Sequence, residues 1–197
     1  MTDAVPLSLP VRSPELLARL RTRRSAPAQA LEAPGPSDAE LTQILEIGAR
    51  TPDHGKLAPW RFVVMGPQVR ARIAAELVVL AERKRLPPKA QAVLAKLTAA
   101  PLTVLVISSP VADDKVPIWE QELSAGAVCM NLEHAAGALG YSASWITDWY
   151  SFDAEATALF GVRAGERIAG FIHMGTLAQP PLERPRPDLS AIITRVE

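Results

Sequence analysis

A helical pattern of about 22 residues, from Ile118 to Leu139 with Gly140 directly after it, most constrains how this chain can fold. Small side chains stand on several of its faces, at Ser124, Ala125, Gly126, Ala127, Ala135, Ala136, Gly137 and Ala138. Small residues let other backbones approach a helix closely, and a helix that is apolar on several faces is buried. The sequence therefore predicts a central helix that packs on more than one side.

Four short runs are typical of β-strands: residues 61–65, 101–109, 141–147 and 167–176. The second run, PLTVLVISS, is almost entirely apolar, as in a strand that is covered on both faces. Helices and strands are mixed along the chain without a repeat, which predicts one α+β domain. We expect residues 1–12 to be a mobile lead and residues 13–197 to be the domain, with residues 178–197 as an extended, proline-rich tail.

Helix starts are marked by capping residues and prolines. Ser13 followed by Pro14 predicts the first helix, and Ser37 with Glu40 forms a capping box at the start of the second. Further helices are predicted at residues 68–85, at residues 88–99 and in the segment DAEATALFG. The last residues, LSAIITRV, have strand propensity but no neighbouring strand to pair with.

Composition excludes several classes of function. The 197 residues carry 21 Lys and Arg against 21 Asp and Glu, so no overall positive charge attracts nucleic acid or an anionic membrane. Cys129 is the single cysteine, which excludes an intrachain disulfide and suits a reducing compartment. The sequence contains no run of about 18 apolar residues, so it predicts no membrane span. We expect a soluble, cytoplasmic protein.

A cluster of arginines, RTRRSA at residues 21–26, follows the first predicted helix. Arg23, Arg24 and Ser25 offer guanidinium groups and a hydroxyl, which suit a phosphate group. The alternative is a helix C-terminus whose cations interact favourably with the helix dipole. The residues alone leave both interpretations open.

A loop rich in polar side chains, RTPDHGKLAP at residues 50–59, lies between the second helix and the first strand. Arg50 and His54 offer hydrogen-bonding groups on a backbone that two prolines stiffen, which favours ligand binding. A turn in which Asp53 bonds the local backbone and the imidazole is exposed is equally compatible. A metal site from His54, His134 and His173 is disfavoured, because these residues lack the short spacing of zinc ligands.

The third strand ends in SASWITDWY, residues 142–150, where Trp145, Ile146 and Thr147 lie at a strand terminus. A flat aromatic ring beside exposed backbone amides suits a planar ligand, whereas buried tryptophans serve the core. The sequence contains no G-x-G-x-x-G after a strand, no phosphate-binding loop motif and no Gly-x-Ser-x-Gly. These absences disfavour a Rossmann or Walker nucleotide site and a serine hydrolase.

Taken in order, RRSA, ILEIGARTPDHGKLAPWRFVV, KVPIWEQELSAGAVCM and RIAGFIHMGT resemble the nitroreductase family of flavoproteins, and most closely its small single-domain branch. The resemblance covers most of residues 23–176, and its specific part is R-x-P-D-H with P-W-R-F close behind. It implies a nitroreductase-like fold: a mixed central β-sheet flanked by helices, with a C-terminal tail exchanged with the dimer partner.

The resemblance also implies an FMN-dependent oxidoreductase that takes hydride from NADH or NADPH and reduces a small acceptor by a ping-pong mechanism. The homodimer would hold FMN at the subunit interface, and the flavin, rather than a catalytic side chain, would perform the chemistry. Three groups of residues would bind the cofactor: Arg23, Arg24 and Ser25 at the phosphate, Arg50 and His54 from the partner subunit, and Trp145, Ile146 and Thr147 at the isoalloxazine.

One departure from the family pattern concerns the substrate. Relatives often have a basic residue and then Ser-Gly after the tryptophan, whereas this chain has Ile146, Thr147 and Asp148. We expect Asp148 to add an acidic group near the substrate mouth. Two alternatives for the function stay open: a flavoprotein of the same fold with another reaction, such as ene reduction, dehalogenation or flavin cleavage, and a cofactor-free interaction protein.

Overall fold

The computed structural model describes residues 6–112 and 115–196. The chain divides into two compact units, a terminal unit formed by Met1–Arg24 and Glu183–Glu197 and a core unit formed by Ser25–Leu182. The division into a lead, one domain and a tail stays a prediction, and residues 1–5 of that lead fall outside the described part of the chain.

In chain order the helices are α1 Pro14–Thr22, α2 Asp38–Gly48, α3 Pro67–Arg83, α4 Pro88–Ala92, α5 Leu94–Ala99, α6 Ile118–Ala138, α7 Ala154–Leu159 and α8 Leu189–Ile192. The strands are β1 Trp60–Met65, β2 Leu102–Ser108, β3 Ser142–Ile146 and β4 Arg167–Gly175. The helix predicted over residues 88–99 is divided at Val93, because Lys96 N donates to Val93 O at 3.0 Å in the tighter three-residue spacing.

The four strands form one sheet in the order β1-β2-β4-β3, and the α+β architecture is confirmed. The predicted mixed sheet needs correction, because each of the three neighbouring pairs is antiparallel. The reason is topological. The strands β2 and β3 run in the same direction and are connected through α6, but β4 lies between them, so they are not neighbours.

Helices cover the sheet of the core unit on both faces. Val104 and Val106 of β2 pack in a cluster with residues of α2 and α6, whereas Leu105 and Ile107 pack in a cluster with α3, α5 and α7. The prediction that β2 is covered on both faces is therefore confirmed. The helix α6 is also central, as predicted, because it contacts α2 and three strands. Among the described residues, no helix has the length and apolar character needed to span a bilayer.

The terminal unit contains α1 and α8. The predicted cap of α1 is confirmed, since Leu16 N donates to Ser13 Oγ at 3.3 Å, but the helix buries none of its residues. The strand propensity of the last residues is not realised. Asp188 caps the short helix α8 by accepting a hydrogen bond from Ser190 N at 3.0 Å. A helix forms its hydrogen bonds within the segment, whereas a strand would need a neighbouring strand to bond with.

Candidate functional site

The loop between α2 and β1 has an unusual backbone. Gly55, Lys56 and Ala58 have φ values of 80°, 58° and 47°, in the left-handed region that side chains disfavour. The Asp53 carboxylate accepts a hydrogen bond from Ala58 N at 2.6 Å and closes the loop. Asp53 therefore stabilises the loop itself, through a residue five positions on and not through the short turn at Asp53 that the sequence suggested, while His54 remains exposed.

Side chains of α6 hold this loop in place. They come from Glu120, Ser124 and Asn131, which lie on one flank of the helix because their spacings of four and seven residues are close to whole turns. The pairs are His54 Nδ1 with Glu120 Oε2 at 2.9 Å, Pro52 O with Ser124 Oγ at 2.9 Å, and Thr51 Oγ1 with Asn131 Nδ2 at 2.7 Å. The loop is thus fixed along α6, and Arg50 is exposed where the loop begins.

Trp145 lies on a different flank of α6. Its backbone N donates to Glu133 Oε1 at 3.1 Å, and its indole Nε1 donates to Ala169 O at 3.0 Å. A Cβ atom on Gly126 of α6 would lie 3.9 Å from the tip of the indole, so the ring runs alongside that helix. With 37% of its surface exposed, Trp145 belongs neither wholly to the core nor wholly to solvent.

The residues after Trp145 differ in their surroundings. Ile146 is partly buried and packs against the core on the α3 side, whereas Thr147 is exposed. The Asp148 carboxylate accepts from Trp149 N at 2.9 Å and lies 3.2 Å from Lys96 Nζ. Asp148 therefore caps the following turn and forms an ion pair, so its charge is engaged within the protein.

The arginine cluster spans two units of the structure. Ser25 belongs to the core unit, where the next residue is fixed to β3 because Ala26 N donates to Ala143 O at 2.9 Å. Arg23 and Arg24 belong to the terminal unit and are half-buried. Within that unit Arg186 Nη2 donates to Arg23 O at 3.2 Å. The phosphate role and the helix-dipole role both remain predictions.

The predicted cofactor residues of the core unit do not converge on one place. Glu120, which contacts His54, and Glu133, which contacts Trp145, are 13 residues apart on α6. Those two glutamates are about 20 Å apart along the helix axis and about 140° around it. The indole of Trp145 extends back to Gly126, which is about 9 Å along the axis from Glu120 and about 120° around it, so the two rings lie on different flanks. One chain therefore presents these predicted residues as two separate groups, which we call half-sites of the predicted cofactor site. One is around Arg50 and His54, and the other is around Trp145, Ile146 and Thr147.

Three residues of these half-sites are absent from the sequence prediction: Glu120, Glu133 and Gly170. The first two are acids within a helix of small and apolar residues, and that contrast was the signal available in the sequence. The structure shows that Glu133 is buried. Gly170 leaves space for the indole of Trp145, which no local pattern indicates.

Other reactive side chains are engaged elsewhere. Burial raises the pKa of the Cys129 thiol to about 12, so the thiol stays protonated at neutral pH. His173 is fully buried, with Nδ1 2.7 Å from Thr103 Oγ1. Within residues 6–112 and 115–196, no three side chains of His, Cys, Asp or Glu are arranged to hold a metal ion.

Comparison with known proteins identifies the family. The sequence profile of the Nitroreductase family matches residues 20–176. The chain is 33% identical over 166 residues to the candidate NAD(P)H nitroreductase YdjA of Escherichia coli (strain K12), which covers 82% of this chain and 88% of YdjA. A candidate NAD(P)H nitroreductase of Haemophilus influenzae is also 33% identical, over 168 residues, with the same shares covered. This chain belongs to the Nitroreductase family.

Solved structures share the fold. A nitroreductase-like family protein from Bacillus cereus superposes with a TM-score of 0.79 at 15% identity, over 96% of this chain and 100% of that one. A nitroreductase with bound FMN from Bacteroides fragilis superposes with a TM-score of 0.74 at 22% identity, over 94% of this chain and 100% of that one. The nitroreductase-like fold predicted from the sequence is therefore confirmed.

Proposed function

We propose that this protein is an FMN-dependent oxidoreductase that uses NADH or NADPH to reduce a small acceptor such as a nitroaromatic or a quinone. Membership of the Nitroreductase family and the similarity to YdjA support this function. The observation that carries it is the pair of half-sites on opposite flanks of α6. Each half-site presents an exposed ring, from His54 or Trp145, and each ring is held by a glutamate of α6.

Bound FMN would supply hydride chemistry, accepting hydride from NAD(P)H and passing electrons to the acceptor in alternating half-reactions. The chain's own residues would bind and orient the flavin and exclude water from it. Accordingly, no side chain is proposed as a nucleophile or as a general acid. The half-buried indole of Trp145, fixed through Ala169 O and Glu133, offers a rigid flat surface beside an isoalloxazine.

The FMN phosphate is assigned to Arg23, Arg24 and Ser25. Guanidinium groups remain charged at every working pH and offer paired donors to phosphate oxygens. The backbone bond from Ala26 N to Ala143 O supports this assignment, because it holds Ser25 near the start of the strand that carries Trp145.

A homodimer would complete the site, with Arg50 and His54 of one subunit facing the half-site of Trp145 in the other. The face of α6 between its two flanks supports such a contact, because Trp119 and Leu123 there are 66% and 54% exposed. Exchange of the C-terminal tail belongs to the same proposal. The exposed Leu189, Ile192 and Ile193 of that tail supply apolar surface for a second copy of the chain.

The visible absorption spectrum of the purified protein, followed by anaerobic titration with NADH and NADPH, tests the function. Flavin absorption that bleaches on addition of a nicotinamide and returns with a nitroaromatic or a quinone supports it. A colourless protein that does not bind added FMN supports the cofactor-free interaction protein. Bleaching without reoxidation by these acceptors points to another reaction on the same fold, such as ene reduction, dehalogenation or flavin cleavage.

The phosphate assignment is tested by Arg23→Ala with Arg19→Ala as its control, because both arginines lie on or beside α1. Loss of a charge-assisted phosphate contact should weaken FMN binding by about ten- to hundredfold, as measured by quenching of flavin fluorescence. Equal affinity of the two variants would remove Arg23 from the site.

The dimer is tested by Leu123→Glu, which places a charge on the exposed face of α6. Sedimentation velocity should show a monomer. FMN binding by this variant should be greatly weakened, because each half-site would lose its counterpart. Val79→Glu is the matched control, since Val79 is 63% exposed on the separate helix α3. A monomeric parent that binds FMN fully would contradict the shared site.

A further inference from the structure

The contact between His54 and Glu120 bears on which nitrogen of the imidazole carries the proton. Nδ1 of His54 lies 2.9 Å from Oε2 of Glu120. An ionised carboxylate only accepts hydrogen bonds, so the ring nitrogen facing it must carry a proton. In the neutral ring Nε2 is then the acceptor, and in the charged ring Nε2 is a second donor.

We propose that Glu120 is a positioning residue that fixes His54 in the tautomer with the proton on Nδ1, and so determines which hydrogen bond Nε2 offers to the cofactor of the partner subunit. The inference rests on the proposed function, because it assigns the cofactor as the group that Nε2 contacts. It extends the candidate site to an acidic residue 66 positions further along the chain.

Exposure of the pair argues for orientation rather than stability. The side chains of His54 and Glu120 are 62% and 39% exposed, and an ion pair so accessible to water contributes little to stability. Without its partner, an exposed imidazole would sample several rotamers and both tautomers. The contact with Glu120 therefore has its main effect on the direction of the ring.

The backbone on both sides of the contact is held firmly. On the loop side, Lys56 and Ala58 adopt left-handed conformations that cost energy, and Asp53 holds the loop closed through Ala58 N. On the helix side, Gln121 next to Glu120 is buried and donates to Val111 O at 2.9 Å. A strained loop that is fixed opposite a rigid helix end is typical of a binding site.

The surroundings of the pair leave room for a ligand. An open cavity of about 340 Å³ lies between the loop and α6, and His54 and Glu120 are on its wall. Leu123 and Ala127 supply apolar surface on the same wall. Polar groups of fixed direction beside apolar surface match the general character of cofactor sites.

The tautomer is measured directly by ¹⁵N NMR of the imidazoles in the full-length protein, at a pH about two units above the ordinary histidine pKa of 6.5. The chain has three histidines, and the His54→Gln variant identifies the signal of His54. We expect the proton on Nδ1 in the parent and a mixture of both tautomers in Glu120→Ala. A parent signal with the proton on Nε2 overturns the inference.

Glu122→Ala is the matched control. Glu122 also lies in the first turns of α6 but faces Arg167, with Oε1 3.7 Å from Nη1. The Glu122→Ala variant removes a negative charge near the helix N-terminus, as Glu120→Ala does. Any effect that arises only from the helix dipole would therefore appear in both of these variants. The His54 tautomer should be unchanged in Glu122→Ala. A change equal to that in Glu120→Ala would overturn the specific role of Glu120.

FMN affinity supplies the second measurement. Glu120→Ala should weaken FMN binding about three- to tenfold in the parent and have no further effect in the His54→Ala background. An equal loss in both backgrounds would show that Glu120 does not act through His54, which overturns the inference. A parent that binds no FMN contradicts the proposed function and the cofactor contact with it. The tautomer measurement still decides whether Glu120 orients His54.

Discussion

The indole of Trp145 occupies the space that a side chain at position 170 would need. A Cβ atom built on Gly170 of β4 would lie 2.0 Å from Nε1 and 2.3 Å from Cδ1 of Trp145. The same nitrogen donates to Ala169 O at 3.0 Å, so this edge of the ring is fixed to the neighbouring strand. Position 170 thus determines where the proposed flavin-facing indole can lie.

Gly170→Ala should lower the free energy of unfolding by about 1–3 kcal/mol, because the methyl group and the indole overlap and one must move. Urea denaturation followed by circular dichroism measures this loss. Gly126→Ala is the matched control on the other side of the same ring, where the new Cβ would lie at an ordinary 3.9 Å from the indole. It should show no such loss.

Removal of the ring tests the cause of that loss. In a Trp145→Ala background the space beside Gly170 is empty, so the additional cost of Gly170→Ala should fall below about 1 kcal/mol. A cost that is the same with and without the indole would mean that the strand itself, and not Trp145, requires glycine at this position.

Arg70 should contribute strongly to stability, because its fully buried guanidinium serves carbonyl oxygens of three separate residues. It donates to Met65 O at 3.2 Å, to Leu97 O at 2.7 Å and to Ala100 O. Arg70→Met fills similar volume but leaves these acceptors without their donor, so the free energy of unfolding should fall by about 3 kcal/mol or more.

The matched control for that change is Arg72→Met, an exposed arginine two positions further along α3. In thermal and urea unfolding, Arg70→Met should be clearly less stable than Arg72→Met. Similar stabilities would indicate that water replaces the guanidinium at the three carbonyl oxygens.

Glu166 should make the protein sensitive to acid. The hydrogen bonds from Arg61, despite the opposing effect of desolvation, lower the pKa of Glu166 from 4.5 to about 2, and Arg163 N and Ser109 Oγ also donate to it. Because the pKa is lower in the folded state, the stabilisation is complete above pH 4.5 and is lost as the pH falls towards 2. Its size is about 3 kcal/mol.

The free energy of unfolding measured between pH 5 and pH 2 tests this, and Glu166→Gln should flatten the decline. Glu155→Gln provides the comparison, since Glu155 pairs with Arg83 but is 51% exposed and is screened by water. An equally steep decline in Glu166→Gln and in the parent would contradict the assignment.

His173 should add a second dependence on pH in a higher range. Burial, together with the positive charge of Arg70, lowers the pKa of His173 from 6.5 to about 3. The unfolded chain therefore binds a proton that the folded protein excludes, and stability decreases as the pH falls from 6.5 towards 3. His173→Phe should reduce this slope in urea titrations at a series of pH values, whatever its effect at neutral pH. An unchanged slope would place the titration elsewhere.

Local features of the fold were predictable from the sequence. The caps at Ser13 and Ser37, the buried strand β2 and the packed helix α6 follow from hydrogen bonds and periodicities within a few residues. Such elements are stabilised largely by neighbours along the chain, so the sequence carries their signal. The family, and the fold that it implies, were also identified from ordered motifs.

Contacts between distant residues were not predictable in the same way. The sequence predicted that Asp148 lies near a substrate mouth, and it gave no indication that Lys96, 52 positions away, engages the carboxylate. It predicted that His54 binds a ligand but did not indicate the contact of His54 with Glu120. It predicted a ligand-binding role for Trp145 but did not indicate that Gly170 makes room for the ring. Each pairing depends on which elements the fold brings together.

The sequence by itself determined the family and the main helices and strands, and it supplied the polar side chains of the candidate site. The tertiary structure alone decided that the sheet is antiparallel, because β4 lies between the two parallel strands β2 and β3. It also decided that His54 and Trp145 lie on different flanks of α6. The physical reason is that hydrogen-bond capacity and periodicity are local properties of a chain, whereas proximity follows from how all its elements pack.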